Sequence, residues 1–389
     1  MTESAVVHTN EDGGAAGKDL AAQIHAKLAG RSPDALIVFA SPRNNYEELL
    51  HALNDACKPG AMIGCSSAGE FTTETSGEGL TTAVALIAPE MKFSATMGKG
   101  ISVDREKAVG TMVDRFAAVG DHRFEHKAAL VLVDALAGYA EEIIDRLTIT
   151  TGGKYRFFGG GAGDDARFQN TFVFCGTTVA SDAAVALEIL SHKPLGIGAR
   201  HGWQAASEAM RVTETEGTQV KSLNVAPAAE AFAEHALATN QQFDREAPIP
   251  FFLHNIVGIK TPSGHKLRVP LGVTEQGGVV CAAEIPTGAT TNIMSTVSAD
   301  AIEAASAATQ DAVNQVITSG SQPQVALFFD CVATRLRMGK EFKEELQTVA
   351  DQLGAVEFAG FNSYGQIVRS EGQFSGFHNC TAVVCVFPA

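Results

Sequence analysis

The stretch from Met62 to Glu70 reads MIGCSSAGE, and its interpretation decides how the rest of the sequence is understood. Its apolar start is typical of a buried β-strand, and six small residues then precede a carboxylate. Small side chains contribute little to a hydrophobic core. They follow a strand either because the backbone turns sharply there or because another molecule approaches it closely. We therefore expect a strand followed by a turn, with the turn as a candidate binding surface.

The same order of elements occurs three times along the chain. In the first case an apolar run at 34–40 precedes a segment with helical spacing at 46–57, and a strand at 61–63 leads into GCSSAGE. The second case comprises 128–133, 139–147, 156–158 and the turn GGGAGDD at 159–165. The third comprises 325–329, 341–353, 356–358 and the turn AGFNSYGQ at 359–366. Each case is a strand–helix–strand unit, which predicts parallel strands joined by right-handed crossovers.

Segments with strand character follow the turns, at 80–87, 91–96, 171–175, 178–189 and 380–387. They predict antiparallel extensions of the parallel pairs. The expected fold class is α/β, with mixed sheets built from repeated βαβ units and two pseudo-related halves. The segment 213–227 shows the least regular pattern, so we place the boundary there. The predicted division is an N-terminal segment and helix at 1–33, an N-terminal domain at 34–220 and a C-terminal domain at 221–389.

The composition disfavours several classes of partner. Of the 389 residues 45% are hydrophobic and 19% are charged, which is typical of a packed globular protein. The net charge of -15 disfavours binding to nucleic acid or to an anionic membrane surface. No apolar run approaches the ~20 residues that span a bilayer, and the segment 1–19 lacks the apolar stretch of a signal peptide. The seven cysteines are scattered without a C-x-x-C pair, so we expect a soluble protein with free thiols in a reducing cytoplasm.

The three turns are expected at the positions where sheets of this kind bind ligands. Ligands collect outside the carboxyl ends of parallel strands, and each turn ends in a polar or acidic side chain. The structural alternative is that glycine serves only the backbone conformation of tight turns. A phosphate-binding loop is disfavoured because GCSSAGE lacks the lysine of such loops, and its glutamate would repel phosphate.

Cys65 and Ser66 raise a second hypothesis, that of a small-molecule hydrolase or transferase. GCSSA differs by one residue from the G-x-S-x-G elbow that presents a nucleophilic serine in esterases. The helix that holds the serine in such an elbow is not predicted here, and Cys65 has no basic neighbour that would favour its thiolate. We therefore predict that the protein is not an enzyme and that Cys65 is a small, buried, inert thiol.

Six segments together resemble the FIST sensory domain, namely VFASPR at 38–43, IGCSSAGE at 63–70, FFGGGAGDD at 157–165, HGW at 201–203, AGFNSYGQI at 359–367 and FHNCTAVVCVF at 377–387. The resemblance extends from about residue 34 to the end, with the first half similar to the FIST N-terminal region and the second to its C-terminal region. The third turn departs from the family because Gly365-Gln366 replaces the commoner Gly-Glu. The resemblance implies a cytoplasmic sensor that binds a small ligand and regulates a separate protein, such as a histidine kinase or a cyclic-dinucleotide enzyme.

The residues expected to bind the small ligand lie in or beside the three turns. They are Arg43, Gly64, Ser66, Ser67, Glu70, Gly159, Gly160, Asp164, Asn362, Tyr364 and Gln366.

Free-standing FIST proteins similar to this chain include the haem-based nitric oxide sensors called NosP, so the resemblance also implies haem b and a gas ligand. Haem needs an axial ligand in apolar surroundings, and both His378 and His254 have aromatic neighbours in the sequence. We predict His378 as the iron ligand because it follows the third turn. Phe377 and Phe361 are then expected beside the porphyrin. The sequence leaves open the identity of the ligand and whether the chain forms a homodimer.

Overall fold

The computed structural model describes residues 1–117, 123–262, 264–370 and 375–389. Most of the chain consists of three units with the same order of elements. The first unit, residues 3–87, contains β1 Glu3–Thr9, α1 Gly13–Lys27, β2 Ala35–Ala40, α2 Tyr46–Cys57, β3 Ala61–Ser66, β4 Glu70–Thr72, β5 Ser76–Gly77 and β6 Thr81–Ile87. The second unit, residues 91–191, contains β7 Met91–Lys99, α3 Arg105–Val113, β8 His126–Val133, a 3-10 turn Ala135–Ala137, α4 Ala140–Thr150, β9 Arg156–Gly161, β10 Val173–Cys175, β11 Thr178–Ala180 and β12 Ala183–Ser191.

The third unit is interrupted by a fourth sheet with helices of its own. It begins with β13 Gly196–Arg200 and continues, after the interruption, with α7 Ser298–Thr318, β23 Pro323–Cys331, α8 Val332–Met338, a 3-10 turn Gly339–Glu341, α9 Phe342–Leu353, β24 Glu357–Ser363, β25 Gln366–Arg369, β26 Ser375–His378 and β27 Ala382–Pro388. The inserted sheet, residues 204–295, contains β14 Gln204–Ala205, β15 Met210–Glu216, β16 Gln219–Leu223, β17 Ala226–Pro227, α5 Ala228–Ala238, α6 Ile249–Phe252, β18 Ile256–Thr261, β19 Gly264–Arg268, β20 Pro270–Val273, β21 Val279–Cys281 and β22 Thr290–Ser295. The predicted division at residue 220 falls within β16.

The three units exchange strands in a cycle. The six-stranded sheets have the orders β1-β6-β2-β3-β10-β11, β7-β12-β8-β9-β25-β26 and β13-β27-β23-β24-β4-β5. In each sheet the first four strands come from one unit, and they include one parallel pair. The last two strands come from another unit, because the chain crosses to the next sheet directly after the small-residue turn. The exchange fixes the ends of the three parallel pairs close to one another.

Each sheet is buried on both faces, which explains why its central strands are almost entirely apolar. The inner faces share one core, in which the rings of Phe39 and Phe361 lie 4.6 Å apart and those of Phe329 and Phe361 lie 5.8 Å apart. The outer faces are covered by two helices each, α1 with α2, α3 with α4, and α7 with α9. The inserted sheet has a separate core that includes the edge-to-face rings of Phe232 and Phe252.

The predicted mixed α/β fold is confirmed, with βαβ units and antiparallel extensions in mixed sheets. Two of the repeated units lie in the first half of the chain, and the third lies in the second half together with the inserted sheet. Among the residues described, no helix combines the length and the apolar character needed to cross a membrane.

Candidate functional site

The three small-residue turns meet at one place, which we call the three-turn junction and define as Ser66–Glu70, Gly161–Asp165 and Ser363–Gln366. Backbone hydrogen bonds join every pair of turns: Gly163 N donates to Ser66 O (2.9 Å), Ala68 N to Asn362 O (3.0 Å) and Tyr364 N to Gly161 O (3.0 Å). Because parallel strands end here in all three sheets, the junction has the position at which α/β proteins bind ligands.

The glycines predicted to bind the ligand lie inside strands and contact the chain itself. A Cβ atom on Gly64 would lie 2.1 Å from the carbonyl oxygen of Val38, and one on Gly159 would lie 2.0 Å from that of Val131. Both oxygens belong to the neighbouring parallel strand, so glycine is needed for the approach of two backbones. Gly160 follows directly and lies opposite Gln366 in the ladder between β9 and β25.

Glu70 is fully buried at the end of the first turn, where it binds two groups of its own unit. Ser67 Oγ donates a hydrogen bond to one carboxyl oxygen, and Leu80 N donates to the other at 3.0 Å. Burial holds the pKa of the Glu70 carboxyl well above its ordinary value, and the nearby Asp165 carboxylate adds to the effect. Both carboxyl oxygens of Glu70 are thus engaged within its own unit.

Gln366, the last residue of the third turn, is also fully buried. Its Nε2 donates to Ser363 Oγ at 2.8 Å, and its Oε1 accepts from Thr381 N at 3.2 Å. Both ends of the amide are thus engaged within the third unit. A neutral side chain suits a position that must both donate and accept a hydrogen bond.

Asp164 organises the loop that follows the second turn. Its carboxylate accepts hydrogen bonds from the backbone N–H groups of Phe168 (2.8 Å), Gln169 (2.7 Å) and Asn170 (2.9 Å), and from the Tyr364 hydroxyl. With these four donors it is satisfied without a ligand. The role of Asp164 in this structure is therefore to hold the loop, and the Tyr364 hydroxyl is used for the same purpose.

Asp165, the neighbour of Asp164, belongs to a group of side chains with unused hydrogen-bonding atoms. We define this group as the Arg335 cluster, composed of Ser41, Gly69, Asp165, Arg335 and Asn362. Within the described part of the chain, Asp165 Oδ1, Asn362 Nδ2 and the Nε and Nη2 atoms of Arg335 are buried and have no hydrogen-bond partner. Buried polar atoms in proteins are nearly always paired with protein or ordered water, so these four atoms make the group suited to binding a small polar molecule.

Gly69 allows the cluster to assemble. Its φ of +112° is one that other residues rarely adopt, and a Cβ there would lie 3.0 Å from Asn362 Oδ1 and 3.5 Å from Arg335 Cζ. Arg335 Nη1 forms an ion pair with the partly exposed Glu78 at 2.7 Å, while Ser41 Oγ donates to Asp165 Oδ2 at 3.4 Å.

Arg43, another predicted ligand-binding residue, is exposed at the rim of this cluster. A Cβ on Gly79 would lie 2.9 Å from Arg43 Nη1, and Gly79 follows the Glu78 that pairs with Arg335. Of the predicted ligand-binding residues, the structure thus places Asn362 in the cluster and Arg43 at its rim. Sequence reasoning missed Arg335, which lies on α8 outside every motif, and Asp165, which the GDD pattern could have indicated.

Cys65 and Ser66 lie beneath the junction. Cys65 is fully buried, and its burial together with the nearby Glu70 holds the pKa of its thiol well above the ordinary value. Ser66 Oγ accepts a hydrogen bond from Phe172 N at 2.9 Å. A buried thiol that resists deprotonation and a hydroxyl that pairs strand backbone do not form a nucleophile with its base.

The residues predicted to bind haem do not surround one cavity. Phe361 is completely buried in the core shared by the three sheets, whereas Phe377 belongs to the cluster beneath α3 and α4. The Phe377 ring fills the space above Gly365, where a Cβ would lie 2.0 Å from its Cζ. His378 is only 2% exposed. This packing does not fit a porphyrin.

The charges around the two predicted histidines belong to the contact between the inserted sheet and the rest of the chain. Burial lowers the pKa of His378 well below its ordinary value, and Lys266 and Arg268 of β19 add to the effect. The pKa of His254, after α6, is lowered by burial and by Arg337. Among the described residues, no three histidine, cysteine or acidic side chains are grouped as metal ligands would be.

A scan against protein-family models matches the FIST N domain to residues 34–226 and the FIST C domain to residues 228–369. The chain belongs to the FIST family. FIST domains are small-ligand sensory domains of signalling proteins. The search of curated proteins found no match to this FIST protein.

Solved structures similar to this FIST protein include T. maritima PurL complexed with ATP, with 11% identity over all of this chain and 71% of that chain and a TM-score of 0.22. The structure of PurLQS from Thermotoga maritima is similar with 12% identity over 100% of this chain and 72% of that chain and a TM-score of 0.23. TM-scores this low do not establish a common fold.

Proposed function

We propose that this FIST protein is a sensor that binds a small zwitterion of the α-amino-acid class at the Arg335 cluster and regulates a separate signalling protein. The observation that carries the proposal is the set of buried, unpartnered atoms on Arg335, Asn362 and Asp165. Such atoms lose their hydration without gaining a partner, at a cost of about 1–3 kcal/mol each. A ligand that pairs them recovers this free energy.

Arg335 presents the geometry that recognises a carboxylate. Its Nη1 is occupied by Glu78, whereas Nε and Nη2 have no partner among the described residues. These two nitrogens lie along one edge of the guanidinium and can donate to both oxygens of a carboxylate at once. The Asn362 amide nitrogen is a further donor, and the oxygen of the same amide lies beside Gly69.

Asp165 supplies the complementary acceptor. One carboxyl oxygen accepts from Ser41 and the other has no partner in the described part of the chain. Burial and the nearby Glu78 raise the pKa of Asp165, and a bound ammonium group would reverse this effect. A ligand with a carboxylate and an ammonium group therefore matches the cluster better than one with a single charge.

The loop after Asp164 has the backbone strain expected beside a binding site. Asp165, Ala166 and Phe168 have φ values of 55°, 59° and 54°, a region that residues other than glycine adopt at some cost. The ring of Phe168 stacks on Tyr364 with centroids 4.5 Å apart, yet Phe168 is 46% exposed. The pair lies beside the cluster, so a ligand that shifts these rings would change the outer surface of the protein.

The regulated partner in this proposal is a histidine kinase or a cyclic-dinucleotide enzyme, and that part rests on the family resemblance alone. Haem b and nitric oxide are not included because the packing around His378 and Phe361 does not fit a porphyrin. Catalysis through Cys65 or Ser66 is not included because neither side chain has the surroundings of an activated nucleophile.

A thermal-shift screen tests the proposal. The purified protein is heated with each of the common α-amino acids, and each active compound is compared with two analogues, one without the amino group and one without the carboxylate. We expect stabilisation by at least one zwitterion and little by either analogue. The same screen is run on Arg335→Gln and on Arg31→Gln, an exposed arginine paired with Glu3.

The expected result is loss of stabilisation in Arg335→Gln and its retention in Arg31→Gln. If amino acids stabilise the two variants equally, the ligand does not bind at the Arg335 cluster. If no amino acid stabilises the wild-type protein, the proposed class of ligand is wrong.

A further inference from the structure

Two cysteines lie together where the inserted sheet contacts the third unit. Cys331 ends β23 and Cys380 lies just before β27, and these strands pair with Phe329 opposite Val383. When this antiparallel pairing is continued by two residues, Cys331 lies opposite Thr381, which is the neighbour of Cys380 in the chain. Both thiols are free, and both belong to one buried cluster that includes Trp203.

The two thiols interact directly, and their surroundings make them unequal. A hydrogen bond from Cys380 is the main cause that lowers the pKa of Cys331 to about 6, and the Ala333 backbone and the Gln366 side chain assist. The same contact holds the pKa of Cys380 well above its ordinary value. The contact therefore favours the thiolate at Cys331 and the thiol at Cys380, the combination that precedes disulfide formation.

The backbone conformation at Cys380 is an unusual one for a residue with a side chain. Cys380 has a φ of 49°, a left-handed conformation that is unfavourable for residues with a side chain. Cys380 therefore lies in the bend between β26 and β27, outside the strand ladder. Cys385, on β27 itself, is also buried, and burial raises the pKa of its thiol.

We propose that Cys331 and Cys380 form a redox-responsive pair that a peroxide converts into an intramolecular disulfide. The Cys331 thiolate attacks one peroxide oxygen, the O–O bond breaks, and the leaving oxygen takes a proton to give water or an alcohol. Cys331 becomes a sulfenic acid. Cys380 then attacks its sulfur, so that the S–S bond forms and water leaves with the Cys380 proton. Two thiols are oxidised, and one peroxide is reduced.

The pair is connected to the three-turn junction through Gln366. The Gln366 side chain contributes a hydrogen bond to Cys331 and donates through Nε2 to Ser363 Oγ. In the disulfide Cys331 can no longer ionise, so the sulfur loses the thiolate form that this hydrogen bond favours. Oxidation therefore changes the hydrogen bonding of the third turn, beside Asn362, while the disulfide itself forms whether or not a ligand is bound.

The test is a peptide map of the native protein after treatment with hydrogen peroxide. Remaining thiols are blocked in denaturant, the chain is digested without reduction, and linked peptides are identified by mass. We expect a link between Cys331 and Cys380 within one chain, the loss of two of the seven thiols, and full reversal by dithiothreitol. Cys385→Ser serves as the control and should form the same link.

The single variants distinguish the two steps. Cys380→Ser should stop at a sulfenic acid on Cys331 that dimedone traps, and Cys331→Ser should lose no thiol under the same conditions. A wild-type map without the Cys331–Cys380 link, at a peroxide concentration that leaves the circular dichroism unchanged, overturns the proposal. A disulfide between other cysteines instead would also overturn the proposal. Both of these results come from the wild-type protein, so the test does not depend on the folding of the variants.

Discussion

The hydroxyl of Tyr364 donates a hydrogen bond to the carboxylate of Asp164, although the two residues are 200 positions apart in the sequence. The bond joins the third turn to the second, and the same carboxylate holds three backbone N–H groups of the following loop. Both groups are buried, so the pair connects two units of the fold at the place where their strands end.

Replacing Tyr364 with phenylalanine should therefore destabilise the protein. The Asp164 carboxylate keeps its backbone donors but loses a buried hydroxyl, which predicts a decrease of about 1.5–3 kcal/mol in the free energy of unfolding. Urea denaturation measures this change. Tyr139→Phe is the control, since Tyr139 is 40% exposed. Equal effects of the two substitutions would show that the buried hydrogen bond contributes nothing.

The glycines inside the parallel strands provide a second prediction. Gly64→Ala should reduce the free energy of unfolding by about 1–3 kcal/mol or more, because its Cβ would lie 2.1 Å from the Val38 carbonyl oxygen and the strands would have to separate. Gly110→Ala is the matched control: Gly110 lies in α3, and nothing surrounds its Cβ position within 4 Å. There alanine should stabilise the helix by up to ~1 kcal/mol. The interpretation fails if both substitutions change the free energy of unfolding in the same direction.

Much of the fold could be predicted from the sequence because its signals are local. The apolar runs, the helical spacings and the small-residue turns each lie within a few residues, and they identify the parallel pairs that the structure contains. The exchange of β4, β10 and β25 between sheets could not be predicted in this way. Each of these strands has only three or four residues, and its pairing depends on contacts with distant parts of the chain.

The candidate site could be predicted from the sequence less completely than the fold. Asp164 and Asp165 are adjacent acidic residues, and the sequence gives no means to assign one to the loop and the other to the cluster. The Asp164 carboxylate accepts hydrogen bonds from the following loop, whereas Asp165, with a left-handed backbone, accepts one from Ser41. Arg335 lies on a short helix without any motif, and only the folded chain places it beside Asn362.

Glu345, a buried residue of α9, predicts a dependence of stability on pH. Burial raises the pKa of its carboxyl from 4.5 to about 8, with Arg337 opposing the shift. Between these two pH values the folded protein binds one more proton at this site than the unfolded chain does. Stability should therefore decrease as pH rises through this window, by about 1.4 kcal/mol per pH unit for one such group.

Glu345→Gln removes this group and should flatten the decline in the free energy of unfolding between pH 5 and pH 8. Burial also raises the pKa of Asp330 well above its ordinary value. Because Asp330 is still present in this variant, part of the dependence of stability on pH should remain. The control is Glu344→Gln, an exposed position on the same helix. An unchanged slope in Glu345→Gln would mean that Glu345 is ionised in the folded state.

Cys65 should be among the least reactive thiols of the native protein. It is completely buried with a raised pKa, whereas Cys175 on β10 is only partly buried. Iodoacetamide under native conditions, followed by peptide mass mapping, should label Cys175 well before Cys65. Rapid labelling of Cys65 would revive the hypothesis of a hydrolase or transferase.

The central claim, that the Arg335 cluster is the ligand site, is tested most directly by titration calorimetry with the amino acid that stabilises the protein most. Removing charged hydrogen bonds worth about 1.5–3 kcal/mol should weaken binding about tenfold to hundredfold in Arg335→Gln. Asp165→Asn should weaken it to a similar degree, and Arg31→Gln should leave the dissociation constant unchanged. Unchanged affinity in both cluster variants, each shown to be folded, would contradict the account.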